Sequence, residues 1–129
     1  MTDEKIEQII RQTVSTTVLQ LQAAGLLKDS ELTAYKKTEA LLREYPRLKK
    51  LQEPYAKRVV QEVEACLAEA ENEPYLDVIR LYYFAGNTNM ACAKIMACDE
   101  RTCRRYRRKL VERFSVRLAS DKFISELLK

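Results

Sequence analysis

An all-α fold is what this sequence predicts, with a helical N-terminal segment followed by a C-terminal helix-turn-helix, and three observations point there. Only 2 Gly and 3 Pro stand among 129 residues, too few for a fold built on tight hairpin turns. Leu, Ala, Glu, Lys and Arg, all good helix formers, are abundant. Apolar residues recur at three- and four-residue intervals along most of the chain, the period of an amphipathic helix. At 47% apolar and 33% charged, the length suits one small domain with a real core rather than two independent ones.

Ile6, Ile9, Ile10, Val14, Val18 and Leu21 form one stripe of a helix over residues 3–24, with Gly25 as its stop. Thr13, Thr16 and Thr17 flank that stripe and weaken intrinsic helicity, so the helix needs a partner surface. Two readings stand: packing within one chain, or a homodimer interface. A second helix begins at Asp29 or Ser30, with Glu31 in its first turn, and runs through Leu32, Tyr35, Leu41 and Leu42 to Tyr45. Pro46 is expected to break or kink it. The third pattern, Leu48, Leu51, Tyr55, Val59, Val63, Cys66, Leu67 and Ala70, is expected to bend or split at Pro54.

Residues 71–74, Glu-Asn-Glu-Pro, read as a hinge, dividing a helical region 1–72 with an oligomerisation role from a DNA-binding region 73–129. Pro74 suits the first turn of a fourth helix, whose buried face is expected to carry Tyr75, Val78, Ile79 and Tyr82 up to Gly86. Residues 86–89 make a turn. A short helix over about 89–97, a tight corner at Cys98 and Asp99, and a long helix from Glu100 to about Ala119 follow. Phe123, Ile124, Leu127 and Leu128 have the spacing of a final short helix.

Charge is concentrated rather than spread. Between Cys98 and Ser120 stand eight basic residues, Arg101, Arg104, Arg105, Arg107, Arg108, Lys109, Arg113 and Arg117, against Asp99, Glu100 and Glu112. That local +5 exceeds the +4 of the whole chain. The cluster follows a helix-turn-helix pattern: Ala93 is small where two helices cross, Ala97 stands at the turn where Gly is commoner, and Cys98 and Cys103 suit packing against the first helix. Asp99 is placed to cap the second helix by accepting from the N–H of Arg101 or Thr102.

On the long helix Cys103, Tyr106, Leu110, Val111, Phe114 and Leu118 share one stripe, leaving Arg101, Arg104, Arg105 and Arg108 opposite and Glu100 at the border. Like charges one turn apart repel, and a polyanion reverses the sign of that interaction. Double-stranded DNA is therefore the expected partner, with no cofactor. Arg101, Arg104, Arg105 and Arg108 are expected to reach base edges, with Glu100 accepting from a cytosine amino group and Thr102 in the same first turn. Arg107, Lys109 and Arg113 are expected at phosphates, and Lys94, Asn87, Thr88 and Asn89 at the backbone beside the first motif helix. Weighed against this are a merely solvated charged face, RNA, and an acidic protein. The seven tyrosines read as core or boundary aromatics rather than stacking platforms.

Other classes are poorly served. No His is present and no nucleophile has a base at recognisable spacing, so an enzyme is not expected. Cys92, Cys98 and Cys103 lack a fourth ligand for a closed zinc site, so no metal is expected and all four cysteines read as reduced thiols. The uncharged run over residues 12–27 is too short and polar for a membrane span, and Asp3, Glu4 and Lys5 open the chain without a targeting pattern. The expected location is the bacterial cytoplasm, at the nucleoid.

The stretch from Thr38 through Tyr45, Pro46 and Arg47 to Lys50 resembles the small phage-encoded regulators of the ArpU and RinA type. So do Ile79-Arg80-Leu81-Tyr82-Tyr83-Phe84 and the stretch from Cys98 through Arg104, Arg105 and Tyr106 to Leu110. The C-terminal half of those proteins is similar to region 4 of sigma-70 factors. The likeness spans roughly residues 35–119. It implies activation of phage or prophage late genes, promoter reading in the major groove by Arg101, Arg104, Arg105 and Arg108, and RNA polymerase as a second partner. Met96-Ala97 stands where Leu-Gly is usual, and residues 87–91 lack the acidic residues common before that helix. Two other functions remain: a phage small terminase subunit, distinguished by ring assembly, and an adaptor that holds sigma factor or polymerase through its N-terminal helices.

Overall fold

The computed structural model describes residues 33–127. The helix expected over 3–24, its two packing readings, the Gly25 stop, the Asp29 or Ser30 start, and Leu128 lie outside the described residues. The chain divides between residues 32 and 33. The expected boundary after residue 72 therefore falls inside one compact unit, and residues 71–74 link helices that share a core.

Every regular element among the described residues is helical, and none is long and apolar enough to cross a membrane. In order they are α1 (Ala34–Leu48), α2 (Pro54–Glu69), α3 (Asp77–Ile79) continued by a π-helical turn (Arg80–Phe84), α4 (Asn89–Met96), α5 (Glu100–Leu118) and α6 (Asp121–Leu127). The hydroxyl of Thr33 accepts from the N–H of Lys36 at 3.1 Å and so starts α1. Pro46 does not break this helix. It stands in the last turn, where its missing donor removes one bond, and the N–H of Lys49 still closes on the Tyr45 carbonyl at 2.9 Å.

Pro54 opens α2 instead of bending a longer helix, because a first-turn residue has no intrahelical bond for its absent N–H to lose. Pro74, by contrast, precedes its helix. Residues 70–76 descend in three-residue turns, with Glu73 N–H to Ala70 at 2.9 Å and Leu76 N–H to Glu73 at 3.2 Å, before α3 begins at Asp77. The π-helical turn then alters the expected core face. Its wider ring, closed by Ala85 N–H to Arg80 O at 2.9 Å, adds a residue to the turn and rotates Tyr83 inward. Tyr83 is buried, while Tyr82 and Tyr75 are half-buried.

Leu42, Val59, Val63, Ile79, Val111, Phe114 and Leu118 meet at the centre with almost no solvent exposure. α5 runs through this core and is packed on by α1, α2, α3, α4 and α6. Two buried carboxylates tie the layers together. Glu39 on α1 accepts from the Tyr83 hydroxyl at 2.6 Å, with Lys36 and Arg43 each at 3.5 Å. Glu62 on α2 accepts from Nε of Arg117 through both oxygens at 3.2 Å, with Arg58 at 3.4 Å. A buried charge is tolerated when its lone pairs are filled in this way.

Candidate nucleic-acid interface

α4, the corner after it and α5 build the expected helix-turn-helix. Thr88 caps α4 by accepting from Ala91 N–H at 3.1 Å. The helix ends in a Schellman arrangement: Cys98 N–H bonds the Ala93 carbonyl at 3.0 Å and Ala97 N–H bonds that of Lys94 at 3.3 Å. This closure places Ala97 at φ 56° and ψ 42°, the left-handed region where the motif normally carries Gly. Ala93 is buried at the helix crossing, where its methyl group lets the backbones approach.

Two residues after Ala97 the chain is extended at Asp99, whose Oδ1 accepts from Thr102 N–H at 2.6 Å. That bond, with Arg101 and Arg105 near, holds the Asp99 carboxyl below the usual carboxylate range. Of the two donors anticipated, Thr102 is the one used. Cys98 precedes the cap and Cys103 lies in the following turn, the positions whose side chains staple a helix start to the incoming chain. Cys92 and Cys103 are buried and Cys98 is half-buried. Burial pushes the Cys103 thiol up to about 11, with the neighbouring Cys98 adding to the shift.

Beyond the cap, α5 separates its side chains sharply. Cys103, Leu110, Val111, Phe114 and Leu118 are buried, whereas Arg101, Arg104, Arg105, Arg108 and Lys109 are exposed. Arg104 meets Glu100 at 3.3 Å in a solvent-exposed pair one turn apart, worth only about 0.2–0.5 kcal/mol. Arg101, Arg105 and Arg108 make no ion pair among the described residues. Arg105 lies 5.4 Å above the Tyr106 ring, which in turn stacks on Tyr75 with centroids 4.0 Å apart. The stack supports α5 from the segment before α3 and uses one face of each ring.

The remaining arginines of the cluster point elsewhere. Arg107 lies with its guanidinium 3.8 Å above the Tyr82 ring and donates from Nη1 to Oδ1 of Asn89. It thus clamps α5 to the π-helical turn and to the start of α4, and the Asn89 acceptor is already used. Arg113 donates to Glu73 and to the Glu69 carbonyl, each at 3.0 Å, and so pins the turn after α2. Both guanidinium groups expected at phosphates are thus engaged within the chain, Arg107 half-buried and Arg113 exposed. A sequence signal for Arg107 existed: it stands four residues after Cys103 and three before Leu110, in the inward stripe.

Glu100 is taken by Arg104, Thr102 is half-buried with its N–H in the cap, and Lys94 is exposed on the last turn of α4. Asn87 turns inward, its side-chain amide donating to the Leu81 carbonyl at 3.0 Å. Among the described residues no group of three or more metal-ligating side chains is placed to hold an ion. No family model, curated protein or solved structure matches the chain.

Proposed function

We propose that this protein binds double-stranded DNA sequence-specifically, with the first turns of α5 in the major groove. The observation that carries the reading is the row Arg101, Arg105 and Arg108, exposed and in no salt bridge among the described residues, directly after a capped turn. A helix with cations spaced three and four residues apart is disfavoured by a few tenths of a kcal/mol per pair when isolated. Phosphates and guanine edges turn that repulsion into attraction, and Arg can address guanine with two parallel bonds.

Within this reading Arg101, Arg104 and Arg105, in the first two turns of α5, address bases, while Arg108, a turn further along and so reassigned from the base edges expected of it, addresses the backbone with Lys109 and Lys94. A transcriptional regulator of the ArpU and RinA type, acting on phage late genes, is the specific form we favour, on the sequence resemblance alone. A terminase small subunit would share the DNA contacts but assemble as a ring, which light scattering distinguishes.

The test is duplex binding followed by fluorescence anisotropy, on a site selected from a random library. Arg104→Ala and Arg105→Ala should each cost about 1–3 kcal/mol on the selected site while unrelated duplexes are affected less. Circular dichroism would check that the helices persist. Full affinity in both variants and in their double would place the recognition surface elsewhere.

A further inference from the structure

The side of α5 turned from α4 carries a cleft that the arginine row does not fill. At about 3.6 residues per turn, Arg105, Lys109 and Tyr106 follow one another around that side, whereas Arg104 and Arg107 lead round towards α4. The cleft holds about 210 Å³ and is lined by Glu73, Tyr75, Tyr106, Lys109, Leu110 and Arg113. In it the Tyr75 and Tyr106 rings lie nearly parallel, 16° apart with centroids at 4.0 Å. We propose that the hydroxyls of Tyr75 and Tyr106, together with the Lys109 ammonium, hold one backbone phosphate of duplex DNA. This clamp rests on the DNA reading above and adds to it a contact on the opposite side of the recognition helix from α4.

The donors in this cleft are uncommitted. Tyr45 and Tyr83 each donate to a glutamate, but the hydroxyls of Tyr75 and Tyr106 bond no group among the described residues, and neither is sealed from solvent. Ring stacking needs no hydroxyl, since Phe provides the same faces. Lys109 is exposed, in no ion pair among the described residues, with its Nζ 5.7 Å from the centre of the Tyr106 ring. Glu73, the acid of the lining, is bonded to Arg113 at 3.0 Å, and Arg113 is anchored a second time by the Glu69 carbonyl. The Glu69 carboxylate is itself held by Arg117. What the cleft offers a ligand is therefore a pair of neutral donors and an unpaired cation, with no unpaired carboxylate in its lining.

A phosphodiester matches that set. Its two unesterified oxygens share one negative charge, so each can accept from a hydroxyl while the ammonium supplies the counter-charge. A helix in the major groove also runs between two sugar-phosphate strands, and contacts on one side alone leave it free to roll. Lys94 on α4 serves one strand; Tyr75, Tyr106 and Lys109 face the other. Tyr75 comes from the turns before α3, which the Arg113 bonds and the ring stack fasten to α5, so its hydroxyl is held in place before DNA arrives. A contact of this kind fixes the register of the helix and reads no base.

The experiment compares the full chain with Tyr75→Phe, Tyr106→Phe and their double by anisotropy, on the selected duplex and on unrelated ones, between about 50 and 200 mM salt. Phe keeps the stack and removes only the oxygen. Each variant should bind about tenfold more weakly, the loss of one hydrogen bond to a charged group, and by the same factor on every duplex. The salt slope should stay as it is, because a neutral donor releases no counterion, whereas Lys109→Ala lowers it. Replacing single backbone phosphates by neutral methylphosphonate should reveal one position where the wild type loses about tenfold more than the double variant does. Urea midpoints should not move, since neither hydroxyl has a partner in the chain to lose. A double variant that binds as tightly as the wild type, or is equally sensitive at every methylphosphonate, would overturn the clamp and leave the DNA reading standing. A loss confined to the selected site would make the tyrosines base readers and overturn the clamp, as would a fall in the urea midpoint. A wild-type protein that ignores every duplex would overturn the DNA reading and the clamp with it.

Discussion

Replacing Ala97 by Gly should stabilise the protein, although it removes a methyl group and adds chain entropy. Ala97 sits at φ 56° and ψ 42° because the Schellman bonds of α4 demand it. In that region an L-residue pays roughly 1–2 kcal/mol for the approach of Cβ to the following carbonyl. Gly escapes this cost but gives up roughly 0.5–1 kcal/mol more conformational freedom on folding. Ala97 is exposed, so little packing is lost with its methyl. The difference leaves a net gain of about 0.5–1 kcal/mol, and at about 4–8 °C per kcal/mol the melting temperature should rise by about 2–8 °C.

Urea and thermal unfolding monitored at 222 nm would measure this, with an unchanged denaturant slope showing that the folded and unfolded states are otherwise the same. Ala97→Val tests the same term with the opposite sign, since a branched side chain is more crowded still in the left-handed region. If Gly proves no more stable than Ala, or if Val is tolerated equally, the left-handed corner is not where the strain lies and the argument from φ fails.

Arg107→Ala should destabilise by about 1–3 kcal/mol, because it removes a cation–π contact with Tyr82 and the charged hydrogen bond to Asn89; urea midpoints would show it. Stability should also fall at both extremes of pH. The Asp99 carboxyl is depressed in the folded protein, so its contribution is complete above the ordinary carboxylate value and disappears as pH falls through the lower folded value; in Asp99→Asn, which keeps a capping oxygen, the acid side of the profile should flatten. At the alkaline end burial raises Tyr45 and Tyr55 to about 12 and Tyr83 further, so the unfolded chain releases protons first and stability declines as pH rises above about 10. Tyrosine ionisation followed by absorbance should lag in the folded protein; a simple titration at the free-tyrosine value would contradict the burial.

Periodicity made the helices legible but not their joints. The stripe Cys103, Leu110, Val111, Phe114 and Leu118 follows directly from spacing, and the cap at Asp99 from its side chain. The prolines misled for one reason: a missing N–H matters only inside a helix, and whether Pro46, Pro54 and Pro74 stand at a last turn, a first turn or outside depends on bonds several residues away. The π-helical turn sets Tyr83 against Glu39 and Arg43 of α1, and a 3.6-residue pattern cannot contain it. The ion pairs of Arg113 and Arg117 cannot be read from local spacing because their partners, Glu73, Glu69 and Glu62, lie more than 35 positions away in sequence. Local charge counting sees a basic helix, while the fold decides which cations are spent on carboxylates.

That division bounds the salt response of the proposed DNA binding. Counterion release makes log K fall with log salt by about 0.9 for each phosphate neutralised, so a cation already paired within the protein adds little. Arg113 and Arg117 hold Glu73, Glu69 and Glu62, and Arg107 is locked over Tyr82. Changing Arg113 or Arg117 to Ala should therefore leave the salt slope alone even where it lowers stability, whereas Arg108→Ala and Lys109→Ala should each reduce it by about 1. Arg101 and Arg105 sit between these cases, since a base contact lowers affinity on the selected site without the full change in slope. Titrations from 50 to 200 mM salt on each variant would rank the six residues. A slope that drops for Arg113→Ala but not for Arg108→Ala would mean that the phosphates lie along the α2 side of α5, and that the exposed row faces water.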